Sequence, residues 1–209
     1  MANGPTPESY VALLGGFPDK SALDVRLLSE EDCGSFRRRL VEYTACGTTR
    51  VQAFVLVPKD VEAPVPGIVA IHQDGATRPY VVGKSEPAGL LGDPDLRYGL
   101  ELCLRGHVVA CPDRDGFESR RMILSELPEA FREFRIVKRD TGLELTEDLY
   151  RGCLANRALF QGTPMGTGLF EMHRAVDLLC SLPEVDPERI GAIGHSAGGY
   201  LSALLMYTD

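Results

Sequence analysis

Three short, nearly uninterrupted apolar runs mark the chain, at 67–71, 107–111 and 189–193. Runs of this length, bounded by Gly and Pro, are expected of strands buried on both faces of a parallel sheet. Upstream, 38–45 alternates in polarity and 50–57 is β-branched and apolar. The turn residues Cys46-Gly47-Thr48-Thr49 between them predict an antiparallel hairpin. Helical spacing occurs at 95–104, stopped by Gly106. It recurs at 169–179 through Leu169, Met172, Val176 and Leu179, and again at 197–207.

The N-terminal part is less regular. Residues 1–8 read as a disordered lead-in, and 10–14 as a short helix stopped by Gly15-Gly16-Phe17-Pro18. A second helical piece is expected at 21–28, with Ser21 as its cap and Asp24 at the capping-box position. Residues 1–36 are therefore assigned to an arm packed on the domain formed by 37–209. Residues 117–160 are more polar, with helical spacing at 124–134 and 145–159. That stretch is too long for a simple loop and reads as a helical insertion over the site. Residues 162–168 read as a flexible joint. The succession hairpin, strand–helix, strand–insertion–helix, strand–helix predicts an α/β fold with a mostly parallel sheet.

Composition narrows the function. Hydrophobic residues at 44% and charged residues at 25% are ordinary for a globular domain, and a net charge of −8 argues against a general nucleic-acid binder. The basic clusters Arg37-Arg38-Arg39 and Arg120-Arg121 read as solvated faces. The six cysteines are scattered, without C-x-x-C or metal-ligand spacing, so no metal site is expected. Cys103 and Cys111 read as small core residues. The start Met1-Ala2-Asn3-Gly4-Pro5 lacks signal-peptide character and no apolar run reaches membrane-spanning length, so a cytoplasmic protein without membrane association is the expectation.

The chemistry centres on Gly194-His195-Ser196-Ala197-Gly198. A G-x-S-x-G pentapeptide between a strand and a helix is the pattern of a nucleophile elbow. There a strained serine projects its hydroxyl above the sheet. The glycines are needed because strand and helix approach too closely for a Cβ. The helix N-terminus beyond the serine favours a developing oxyanion. Here the turn-rich Pro183-Glu184-Val185-Asp186-Pro187 precedes the strand, and 197–206 continues as an apolar helix.

The first apolar strand ends in His72-Gln73-Asp74-Gly75, at the strand end where α/β sheets bind ligands, and this loop can present a backbone N–H to an oxyanion. His72 reads as a loop-orienting residue and Asp74 as a pocket residue. Asp113 and Asp115 lie at the same edge of the sheet and read as turn formers. Asp113, Arg114 and Glu118 are candidates to line the pocket. Lys84 and Glu86 are candidates to fix loop geometry. His107 lies at the opposite end of its strand, His173 within a helix, and His195 is expected to point away from the side on which Ser196 projects. None of these imidazoles is expected to serve as the base.

Together these residues resemble the α/β-hydrolase superfamily, and within it the dienelactone-hydrolase-like and acetyl-xylan-esterase-like branch. The resemblance covers about residues 38–208. It rests on His72-Gln73, Gly83-Lys84-Ser85-Glu86, Gly92-Asp93-Pro94, Tyr98-Gly99-Leu100-Glu101-Leu102, Arg105-Gly106-His107-Val108-Val109, Pro112-Asp113, Arg174-Ala175-Val176-Asp177, Asp186-Pro187-Glu188-Arg189-Ile190-Gly191 and Gly194-His195-Ser196. It implies an α/β-hydrolase fold and hydrolysis of a small carboxylic ester. Ser196 would be the nucleophile, with an oxyanion hole from the N–H groups of Ala197 and of the chain near Gln73, and no cofactor. Serine at the elbow, where the familiar dienelactone hydrolases have cysteine, favours an esterase.

The resemblance also implies an Asp and a His on strands beyond Asp209. The expectation is thus an incomplete hydrolase domain that is poorly active alone, with an open sheet edge at 189–193 offering a surface for a homodimer. The other reading is a non-catalytic module that binds a small ester or acid, or a partner, at the same place. A serine peptidase of the same superfamily gains no separate support.

Overall fold

The computed structural model describes residues 4–62, 64–74, 81–121 and 162–209. Its centre is a six-stranded sheet in the order β1-β2-β3-β5-β4-β6, formed by β1 (Arg26–Asp32), β2 (Phe36–Thr44), β3 (Arg50–Pro58), β4 (Val65–Ile71), β5 (Val108–Pro112) and β6 (Val185–Gly194). The three apolar runs form the parallel part, β5-β4-β6, while β1, β2 and β3 join it through antiparallel pairings. The sheet is therefore mixed. The helices are α1 (Pro7–Leu13), α2 (Tyr98–Cys103), α3 (Pro164–Cys180) and α4 (Ala197–Thr208).

Each sheet face is sealed by its own helices. Val41, Tyr43, Val51, Val55, Val69 and Ile71 pack with Leu169, Met172 and Leu178 of α3 and Leu201 and Leu205 of α4. On the opposite face Leu56, Ala70, Val109 and Cys111 meet Cys103 of α2, which places both cysteines in the core as expected.

Several local expectations are corrected. Residues 21–28 do not form a helix. The Ser21 hydroxyl accepts the Gly47 N–H at 2.9 Å instead of capping a helix, Asp24 has φ 42°, and the chain enters β1 at Arg26. β1 is exposed along its whole length and is held by its ladder to β2 and by cross-strand pairs, Glu31 with Arg38 and Glu30 with Arg39. Arg38 and Arg39 of the triplet are consequently ion-paired rather than part of a solvated face; Arg39 also binds Glu184. α1 begins at Pro7, earlier than its apolar pattern suggests, because Thr6 accepts the Ser9 N–H and Pro is favourable in the first turn.

Most of the joint expected at 162–168 is the start of α3, with Thr163 as its cap. The Thr163 hydroxyl accepts the Gly166 N–H at 3.0 Å and Pro164 opens the helix. Gly166 is required there, since a Cβ would collide with the Leu14 carbonyl oxygen. α3 is not a surface helix. His173 and Arg174 are buried because the N-terminal segment lies over the helix, and Glu171 is buried against Arg120. Phe17 packs on Phe170 and His173, and Arg174 donates to the Ser21 carbonyl at 2.7 Å. Conversely, β6 is only half-buried over 190–194 and exposed over 187–189, because β4 is its one partner among the described residues. Of the expected insertion, 122–160 lies outside the described residues. Among the described residues no helix is long and apolar enough to cross a membrane.

Candidate active site

β6 ends at Gly194 and α4 begins at Ala197, so the chain reverses within two residues. Ser196 occupies that reversal with φ 52° and ψ −118°, a backbone conformation costly for any residue with a Cβ. Such strain at one residue persists only where the surroundings enforce it. Both flanking glycines enforce it here. A Cβ on Gly194 would overlap the Gly198 carbonyl, and a Cβ on Gly198 would overlap the Ile71 and His72 carbonyl oxygens. Ser196 is exposed, and its hydroxyl makes no cap hydrogen bond to α4. The first N–H groups of α4 stand beside it, and Ala197 supplies the leading one.

The parallel register brings the second segment alongside. Ile71 is the ladder partner of Gly194, so His72-Gln73-Asp74 continues beside His195-Ser196. His72 is fully buried and reads the backbone on both sides of its ring. Nδ1 lies 2.7 Å from the Gln73 carbonyl oxygen, and Nε2 accepts the Arg114 N–H at 3.1 Å. These partners assign the proton to Nδ1 in a neutral ring. Burial, with the nearby Arg114 charge, pushes its pKa down to about 3. The Gln73 side chain donates to Glu86 at 3.2 Å, and Arg114 donates to Asp74 at 2.7 Å and the His72 carbonyl at 3.3 Å while its guanidinium covers the Phe117 ring.

A buried ionic cluster fixes the loop after β5. Asp113, expected to line a pocket, is instead fully buried. It accepts from the Lys84 N–H at 2.7 Å, the Lys84 ammonium at 2.8 Å and Ser119. Glu118, in a strained φ of 40°, accepts from Lys84 and from the Gly83 and Ser85 backbone at 2.8–3.0 Å. Its carboxylate is thereby directed at segment 83–85. Arg120 continues the cluster, binding Glu171 of α3 through two hydrogen bonds of 2.6 Å and the Asp113 carbonyl at 3.1 Å. The sequence gives no sign of the Arg120–Glu171 pair, because both residues look like surface charges when read locally.

None of the four imidazoles takes part in a hydrogen bond with Ser196 among the described residues. His72 is occupied by backbone. His173 bonds Thr208 at 2.9 Å and Asp209 at 3.2 Å, a His–Asp pair. That pair lies at the far end of α4, about 18 Å from Ser196 at the rise of an α-helix. His107 precedes the N-terminal end of β5, and His195 is exposed. Among the described residues no group of three metal-ligating side chains converges.

No family model matches the chain. It is 28% identical over 194 residues to YtaP of Bacillus subtilis (strain 168), a protein provisionally named a hydrolase; the match covers 91% of this chain and 55% of YtaP. A provisionally named acetyl xylan esterase from Bacteroides fragilis NCTC 9343 superposes with a TM-score of 0.73 at 17% identity, over 97% of this chain and 49% of that one. The acetyl xylan esterase from Paenibacillus sp. R4 superposes with a TM-score of 0.61 at 20% identity, over 100% of this chain and 57% of its own. The chain thus spans about half the length of the proteins it matches. With its mixed sheet and flanking helices matching these structures, the chain has the α/β-hydrolase fold.

Proposed function

We propose that this chain carries the nucleophile of a carboxylic-ester hydrolase, with Ser196 as that nucleophile. One observation carries the reading: the exposed serine held at φ 52° between two glycines that contact leaves no room to change. A strained serine at the head of a helix is arranged for attack rather than for packing. In the reaction the Ser196 oxygen bonds to the acyl carbon and its proton passes to a base. The alcohol then leaves, and water releases the acid. The Ala197 N–H and the chain at Gln73 would stabilise the oxyanion. The base is not among the described imidazoles and would have to be supplied by another part of the protein. The hydrolase and esterase names of the matched proteins support ester chemistry, and acetyl esters of carbohydrates are the first substrates to test.

The absence of an imidazole hydrogen-bonded to Ser196 among the described residues favours a second reading: a module that binds a small ester or acid at this turn without cleaving it. In that reading, the open edge of β6 would pair with a second copy or another chain. Fluorophosphonate labelling of the full natural chain, with Ser196→Ala as control, separates the two. Stoichiometric labelling at Ser196, with loss of p-nitrophenyl acetate hydrolysis in the variant, is expected. Hydrolysis that survives Ser196→Ala, or a wild-type chain that does not label, would favour the binding module.

A further inference from the structure

Tyr98 stands at the start of α2, far in sequence from either segment of the site. Its hydroxyl donates to the Ile71 carbonyl oxygen at 2.6 Å, and the His195 backbone faces the same hydroxyl closely enough to act on its titration. One side-chain atom therefore joins the end of β4 to the elbow. The join falls just past the last ladder pair between these strands, Ile71 with Gly194. Beyond that pair, among the described residues, no strand–strand hydrogen bond fixes the separation of the Gln73 segment from Ser196.

The placement of Tyr98 is itself determined. The Leu100 N–H donates to the Pro87 carbonyl at 2.9 Å, and a Cβ on Gly99 would press on the Pro87 carbonyl and the Cys111 sulfur. α2 is thus seated on β5 and on the segment whose Glu86 holds the Gln73 side chain. The ring packs against the buried cluster that includes Ala70 and Cys111, and burial raises the phenol well above its ordinary pKa, keeping it a neutral donor.

We infer that Tyr98 is a positioning residue: its hydroxyl clamps the oxyanion segment at Ile71-His72-Gln73 to the nucleophile turn at His195-Ser196, setting the distance between donors and nucleophile. The inference rests on the reading of Ser196 as nucleophile. Oxyanion donors contribute only within a few tenths of an ångström of the position where charge develops, so a clamp between the two segments acts on the transition state more than on substrate binding.

Tyr98→Phe in the full natural chain removes the hydroxyl and keeps the ring. The expected result is a roughly tenfold fall in kcat for p-nitrophenyl acetate and in the rate of fluorophosphonate labelling. KM and the final labelled fraction should stay within about twofold. A kcat and labelling rate equal to wild type overturn the inference. So does a loss that appears wholly as a smaller labelled fraction, because that reports misfolded protein rather than misplaced donors. Amide hydrogen exchange gives a measure independent of turnover: the His195 amide should exchange at least tenfold faster in Tyr98→Phe, and an unchanged rate overturns the clamp. Failure of the wild type to label at all would count against Ser196 as nucleophile, while the exchange result would still decide the clamp.

Discussion

Gly198 and Ile71 leave no space between them for a side chain: a Cβ on Gly198 would overlap the Ile71 carbonyl oxygen. Gly198 lies in the first turn of α4 and Ile71 closes β4, so this approach sets how closely the nucleophile turn sits to the neighbouring strand.

Gly198→Ala should therefore damage both site and fold. The methyl cannot be accommodated by rotating a flexible side chain, because the obstacle is backbone on both sides. A loss of stability of about 1–3 kcal/mol, the usual range for overpacking, is expected by urea denaturation. Ser196 labelling should fall by more than tenfold at temperatures where the variant remains folded. A variant as stable and as reactive as wild type would show that α4 and β4 are not in this contact.

The Arg120–Glu171 pair should be strongly asymmetric to mutation. Both side chains are almost fully covered, and each guanidinium–carboxylate bond is 2.6 Å. Glu171→Leu leaves a buried guanidinium short of its main counter-charge, for an expected cost of about 3–5 kcal/mol. The double variant Arg120→Met/Glu171→Leu should recover most of that loss, since two apolar side chains need no mutual compensation. Chemical denaturation of the three variants forms the cycle; additive losses would show that the residues do not act as a pair.

His72 should make stability fall on acidification. Its pKa is about 3 in the folded protein and near 6.5 when unfolded, so the unfolded chain binds the extra proton first. The neutral-ring contribution is fully present above about pH 6.5 and is lost progressively as pH falls towards 3. His173 is also lowered, chiefly by burial, and adds in the same direction. His72→Asn removes the titration while retaining a side-chain amide near the Gln73 carbonyl. Comparing unfolding free energies at pH 7 and pH 5 should give a smaller drop in the variant than in the wild type. Equal drops would mean that the imidazole is not buried between Gln73 and Arg114.

How much of this was legible in the sequence depends on the range of the interaction. The elbow is local: glycine, serine, glycine and a following helix lie within a few residues, and the steric demand for glycine acts on immediate neighbours. The parallel strands β4, β5 and β6 were legible because continuous apolar runs have few other uses. The hairpin β2–β3 was legible from its turn. Residues 21–28 misled because Ser21 and Asp24 have the chemistry of a helix start, yet in the folded chain they bond Gly47, Arg26 and Arg50. The glycines at 162–168 misled in the opposite direction; Gly166 permits a close approach to Leu14 inside a helix rather than a joint.

The sequence by itself determined the hairpin, the parallel strands with the helices between them, and the position of the strained serine. These follow from apolar periodicity and from sterics between neighbours in the chain. Only the tertiary structure decided which charges are buried, that His72 is held as a neutral backbone ligand, and that Tyr98 reaches two segments at once. Desolvation and hydrogen bonding depend on what the fold brings alongside, and partners such as Lys84 and Glu118, Arg120 and Glu171, or Tyr98 and Ile71 are dozens of residues apart in the chain.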